Sequence, residues 1–169
     1  AISPRAEALL YAADRAHHVY STIRPALDRG DVVITDRYFD SSIAYQGAGR
    51  VLQPNEVARI SRWATESLFP TLTILIDQPA EVGLGRLKSR DRLEAEPNDF
   101  HERVRQEFLQ LAMLDPERYL VIDGQATLQD IHEAIIARVA ELPQLKRNAQ
   151  NPQSRRVLRP IIAASHAVS

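Results

Sequence analysis

The sequence has no cysteine, one tryptophan, one methionine and only six glycines in 169 residues. Without cysteine there is no disulfide framework and no thiolate metal site. No apolar run approaches the roughly 20 residues that a membrane span requires. The opening AISPRAEALL reads as neither a secretory signal nor a transit peptide, so a cytoplasmic protein is expected. The five histidines, His17, His18, His101, His132 and His166, show no metal-ligand spacing, and we assign them no role. Trp63 and Met113 fall at helical core spacing and read as packing residues.

What is present suits one soluble domain, 44% hydrophobic and 25% charged. The formal net charge of -1 conceals an uneven distribution. Residues 146–169 carry five basic side chains (Lys146, Arg147, Arg155, Arg156, Arg159) and no acid, so the first 145 residues are net acidic. We divide the chain into a folded domain over 1–145 and a basic, flexible tail over 146–169. The tail reads as solvated chain rather than as a nucleic-acid contact.

Ser3-Pro4 predicts a helix start, followed by apolar residues at helical spacing as far as Gly30, with Pro25 kinking the segment. Val32–Thr35 predicts a short parallel strand, apolar on both faces. A helix over 54–68, a strand over 71–76 and a helix over 79–90 follow. Then come a helix over 99–114, a strand over 119–122 and a last helix after the Thr127/Asp130 cap. Alternating strands and helices predict an α/β fold with a parallel sheet, whose ligands bind beyond the carboxyl ends of the strands.

Three groups of residues carry candidate chemistry. Asp36-Arg37 closes the first strand, and Ser42, Tyr45 and Gln46 follow within one loop or turn. An arginine there can grip a phosphate through two parallel hydrogen bonds, and an aspartate can hold a magnesium-bound water. A structural Asp–Arg pair capping the loop is the plainer alternative. Arg86 and Arg90 share a helix face and Arg92 follows, a cluster suited to a transferring phosphoryl group or simply to a solvated helix end. Tyr11 and Arg15, four apart, offer an aromatic plate and a guanidinium, or only a surface pair.

Taken in order, these residues resemble the bacterial thymidylate kinases. The likeness runs through Ala6–His18, Val32–Tyr38, Ser42–Gly47, Leu72–Asp77, Arg90–Glu94 and Phe100–Arg105, and covers about residues 3–143. The resemblance implies the P-loop nucleoside monophosphate kinase fold and transfer of a phosphoryl group from ATP to thymidine monophosphate. It implies that Tyr11 stacks on thymine and Arg15 bonds its carbonyl edge. Arg37 would hold the monophosphate, Ser42 and Gln46 line the base pocket, and Tyr45 pack on the deoxyribose. Asp36 would support Mg2+ through water, and Arg86, Arg90 and Arg92 would neutralise the ATP phosphates. It further implies a homodimer, with no membrane or nucleic-acid partner. Another nucleotide kinase of the same fold, or an inactive kinase-like interaction domain, are the competing readings.

The sequence departs from that family in one respect. None of its glycines belongs to a G-x-x-x-x-G-K-S/T phosphate loop. The family's first strand would lie between those ending at Asp36 and Ile76. Its absence is expected to leave both without a shared ladder partner, and these residues alone are expected to lack ATP-dependent kinase activity.

Overall fold

The computed structural model describes residues 2–48, 52–85, 95–143, 145 and 161–166. Helix α1 (Pro4–His18) starts where expected, with the Ser3 hydroxyl accepting a hydrogen bond from the Ala6 amide. It runs into a π-helical segment, Val19–Ile23, and then α2 (Arg24–Arg29). Pro25 lies at the start of α2, directly after the π-helical segment, so it removes one bond from a helical path that continues from α1. The wide turn before it is where the helix adjusts. Gly30 ends α2 at φ 89°, a left-handed cap open to glycine at little cost.

Four strands follow: β1 (Val33–Asp36), β2 (Leu72–Asp77), β3 (Tyr119–Asp123) and β4 (Ile161–His166). They form one parallel sheet in the order β1-β4-β2-β3. The remaining helices are α3 (Phe39–Ser42), α4 (Pro54–Ala64), α5 (Ala80–Gly85), α6 (Asn98–Leu114) and α7 (Leu128–Ala140). A π-helical turn, Ile43–Ala48, continues α3. Helix α4 ends at Ala64 rather than Leu68, because Glu66 and Ser67 turn left-handed at φ 50° and 55°.

Strand β4 corrects the expected architecture. Residues 161–166 lie in the stretch read as a flexible tail, yet they occupy the slot between β1 and β2. Ile162 pairs with Ile34 on one side and Leu72 on the other. The two strands therefore share a ladder partner. Ile161, Ile162 and Ala163 are buried, a short apolar run of the type that fills the middle of a parallel sheet.

The sheet separates two apolar layers. On one face, Leu72, Ile74, Ile122 and Ile162 pack beneath α7 through Ile131, Ile135 and Val139. On the other, Ile161 and Ala163 meet Val19, Ile23, Tyr38 and Phe39, while Leu75 meets Tyr45, Phe100, Val104 and Phe108. Strand β1 is not buried on both faces as expected: it is an edge strand and Ile34 is 73% exposed. Trp63 and Met113 are likewise surface residues, Trp63 at 82% exposure, because helical spacing alone does not say which face is covered.

Candidate functional site

Strand β1 ends at Asp36, and the chain then turns sharply through Arg37, whose φ is 61°. For a side chain with a Cβ this conformation costs about 1–2 kcal/mol, and such residues concentrate at functional sites. The Arg37 backbone is gripped from three directions. Its N–H donates to the Ala164 carbonyl of β4 at 2.7 Å. Its carbonyl accepts from the Thr35 hydroxyl at 3.0 Å and from Arg15 Nη1 at 3.4 Å. The Arg37 guanidinium lies over the Tyr45 ring, 5.0 Å from its centroid.

Helix α1 packs alongside α3 and the turn that follows it. Arg15 stacks over the Tyr38 ring at 5.2 Å, and its buried Nε has no hydrogen-bond partner among the described residues. Burial lowers its pKa, with the Tyr38 and Asp14 charges acting in the opposite sense. Tyr11 stands one turn earlier on the same helix, at the four-residue spacing that shares a face, and is 37% exposed. One turn earlier again is Glu7, buried, accepting a hydrogen bond from Gln46 Nε2 at 3.3 Å. Ser42, Tyr45 and Gln46 are all buried on α3 and the turn after it. Gly47 permits that turn to close on α4: a Cβ there would come within 2.9 Å of the Pro54 Cα.

Arg15, Arg37 and Tyr45 thus connect through one set of contacts, although they come from α1, the end of β1 and the turn after α3, while Gln46 of that turn bonds separately to Glu7 of α1. Asp36 is exposed at the carboxyl end of β1. Among the described residues no cluster of three His, Cys, Asp or Glu forms a closed metal site. A single exposed carboxylate fits Mg2+, which keeps several waters and takes other oxygens from phosphate. The expected cluster Arg86, Arg90 and Arg92 lies outside the described residues.

Two further ion pairs hold the elements around the site, one at each end of the sheet. Arg105 of α6 clamps Asp77 at the end of β2, Nε to Oδ1 at 2.7 Å and Nη2 to Oδ2 at 3.0 Å. These bonds raise the Arg105 pKa. Asp40, beside the site residues on α3, is held by Arg118. Sequence reading passed over Glu7, although Glu7, Tyr11 and Arg15 recur every four residues. It had no means of finding the Arg118 contact, whose partner is 78 positions away.

A parallel sheet carrying a strained arginine at a strand's carboxyl end, beside a second arginine and stacked aromatics, defines an α/β protein with side chains of the kind that suit an anionic, ring-bearing ligand. The family model described as thymidylate kinase matches residues 1–135. The thymidylate kinase of Clavibacter michiganensis subsp. michiganensis is 57% identical over 145 residues, which is 83% of this chain and 69% of that protein. That of Leifsonia xyli subsp. xyli is 56% identical over 142 residues, covering 82% and 67%. That of Thermomicrobium roseum is 44% identical over 156 residues, covering 90% and 73%. The chain belongs to the thymidylate kinase family.

Proposed function

We propose that this chain binds thymidine monophosphate between α1 and the segment after β1, and presents its phosphate to the γ-phosphoryl group of ATP. The observation that carries this reading is the hydrogen bond from Arg15 Nη1 to the Arg37 carbonyl. It ties the side chain suited to a pyrimidine edge to the backbone of the residue whose side chain is suited to a phosphate.

In this reading Tyr11 stacks on thymine, and Arg15 turns its partnerless Nε–H and its remaining donors toward the ring's carbonyl edge. Arg37 holds the monophosphate through its guanidinium fork. Tyr45 stiffens the Arg37 side chain from below and gives the deoxyribose an apolar surface, and Ser42 and Gln46 line the pocket. Asp36 would hold Mg2+ through water, and the ion would supply positive charge to offset that of the phosphates. Arg86, Arg90 and Arg92 neutralise the ATP phosphates. Little covalent chemistry is asked of the protein, since phosphoryl transfer depends on alignment and on charge stabilisation.

The same reading makes the protein cytoplasmic and homodimeric. Exposed Leu9 and Leu10 on α1 and Trp63 on α4 support a partner surface there. No helix among the described residues is long and apolar enough to cross a membrane.

Calorimetric titration with thymidine, uridine and cytidine monophosphates tests the assignment. Thymidine monophosphate is expected to bind best, and Arg37→Ala to weaken it by roughly ten- to a hundredfold, the worth of a charged hydrogen bond. Equal affinity for the three nucleotides, or no effect of Arg37→Ala, would overturn it.

A further inference from the structure

We propose that Thr35 is a positioning residue for Arg37, acting through the backbone and not through the ligand. The inference rests on the reading of Arg37 as the phosphate-gripping side chain.

Thr35 is the third residue of β1. Its side chain is buried and lies on the sheet face with Val33 and Ala163. A valine would satisfy that apolar surrounding and the strand's preference equally well. What threonine adds is the hydroxyl, and this donates at 3.0 Å to the carbonyl two residues ahead. Bonds of this local type offer the backbone a conformation that the regular ladder does not. Here they fix the carbonyl of the one residue that leaves β1 in the left-handed region, at φ 61°.

The bonds from Arg37 to Ala164 and from Arg15 to Arg37 bear on this carbonyl less directly. The Ala164 carbonyl holds the Arg37 N–H, which lies on the near side of the φ bond. Arg15 reaches the carbonyl at 3.4 Å, a longer bond from a side chain that the ligand would itself engage. Thr35 is the shorter and nearer restraint. With the hydroxyl removed, the peptide after Arg37 can turn over, φ can relax to negative values, and the guanidinium leaves the Tyr45 ring. Thr35 thereby prepares the arginine before ligand arrives, so that the ligand does not bear the cost of ordering it.

Two measurements on Thr35→Val and Thr35→Ser decide the matter. The Arg37 Cα and Cβ chemical shifts report the backbone region without ligand, and titration reports the affinity for thymidine monophosphate. In Thr35→Val the Arg37 shifts are expected to move away from left-handed values and the affinity to fall by roughly tenfold, about what one hydrogen bond supplies. Thr35→Ser keeps the hydroxyl and is expected to retain both, even though the lost methyl lowers its melting temperature. Unchanged Arg37 shifts in Thr35→Val overturn the proposal, and so does a Thr35→Ser variant as impaired as Thr35→Val. Where Thr35→Val fails to fold, Thr35→Ala against Thr35→Ser makes the same comparison. Failure of the parent protein to bind thymidine monophosphate would refute the functional reading, while the Arg37 shifts would still decide the role of Thr35.

Discussion

Arg118 closes on Asp40 through two hydrogen bonds, Nη1 to Oδ2 at 2.7 Å and Nη2 to Oδ1 at 3.2 Å, and Asp40 is 1% exposed. The same guanidinium reaches Thr73 and Asp115 and lies over the rings of Phe39 and Tyr119. Burial opposes its charge, but the bonds and charge of Asp40, with those of Asp115, outweigh this and hold its pKa above the ordinary value. The pair fastens α3, and with it the turn bearing Tyr45 and Gln46, to the amino ends of β2 and β3.

Removing one member of such a pair leaves the other buried and uncompensated. Arg118→Met is expected to cost about 3–5 kcal/mol in denaturant unfolding. Arg118→Met combined with Asp40→Leu removes the stranded carboxylate, and the double variant is expected to be more stable than Arg118→Met alone. A double variant as unstable as the single one would show that the geometry of Arg118, not its charge, holds α3.

Arg15→Met keeps the length and apolar stem of the side chain while removing every donor. Affinity for thymidine monophosphate is expected to fall by roughly ten- to a hundredfold. The preference over cytidine monophosphate is expected to shrink with it, because the base edge is no longer read. Retained preference between the two nucleotides, measured by competition titration, would assign base recognition elsewhere.

Burial pushes the Tyr38 phenol up to about 12 from its ordinary value near 10, while the Arg15 and Arg24 charges act to lower it. The native state therefore holds this proton more tightly than the unfolded chain does. The resulting stability is fully present below pH 10 and is lost as pH rises from about 10 to about 12, amounting to at most about 3 kcal/mol. Tyr38→Phe is expected to lessen the fall across that window, part of which remains because burial raises the Tyr119 phenol as well, in unfolding curves recorded alongside phenolate absorbance. A parent protein with no fall there would mean that Tyr38 ionises freely.

The element boundaries were largely legible because they follow local chemistry. Ser3 and Thr127 cap α1 and α7 with their own side chains. Pro25 and Gly30 punctuate the first helical stretch, and Asn98–Leu114 is helical within one residue of its expected start. Most of the site was legible for a similar reason: Asp36-Arg37 and Ser42-Tyr45-Gln46 lie in one short segment, and Tyr11 and Arg15 share a helical face. Strand β4 was not legible. Its apolar residues are few and follow a basic, proline-containing stretch without periodicity, and its partners are distant in sequence. The contact between Asp40 and Arg118 was hidden in the same way. Ile34 and Trp63 show the limit of periodicity, which identifies an apolar position and not the layer that covers it.

The position of β4 is open to a direct check. Ala163 is fully buried between β1 and β2, whereas Val121 on the edge strand β3 is half-exposed. Ala163→Asp places a carboxylate where water cannot follow, and is expected to abolish the cooperative thermal transition. Val121→Asp is expected to change stability by about 0.5–1 kcal/mol, as at other partly exposed positions. Similar melting curves for the two variants would place residues 161–166 outside the sheet.

Among the described strands β4 is the last in sequence, although it stands in the middle. During synthesis β1, β2 and β3 emerge from the ribosome before β4, and the edges of β1 and β2 that it covers await a partner encoded about 125 residues after β1. Closure of the sheet is thus a late event between distant parts of the chain, of the kind that proceeds slowly. Until it occurs the nascent protein presents two open strand edges, and that interval is when chaperones matter most and when self-association competes with folding.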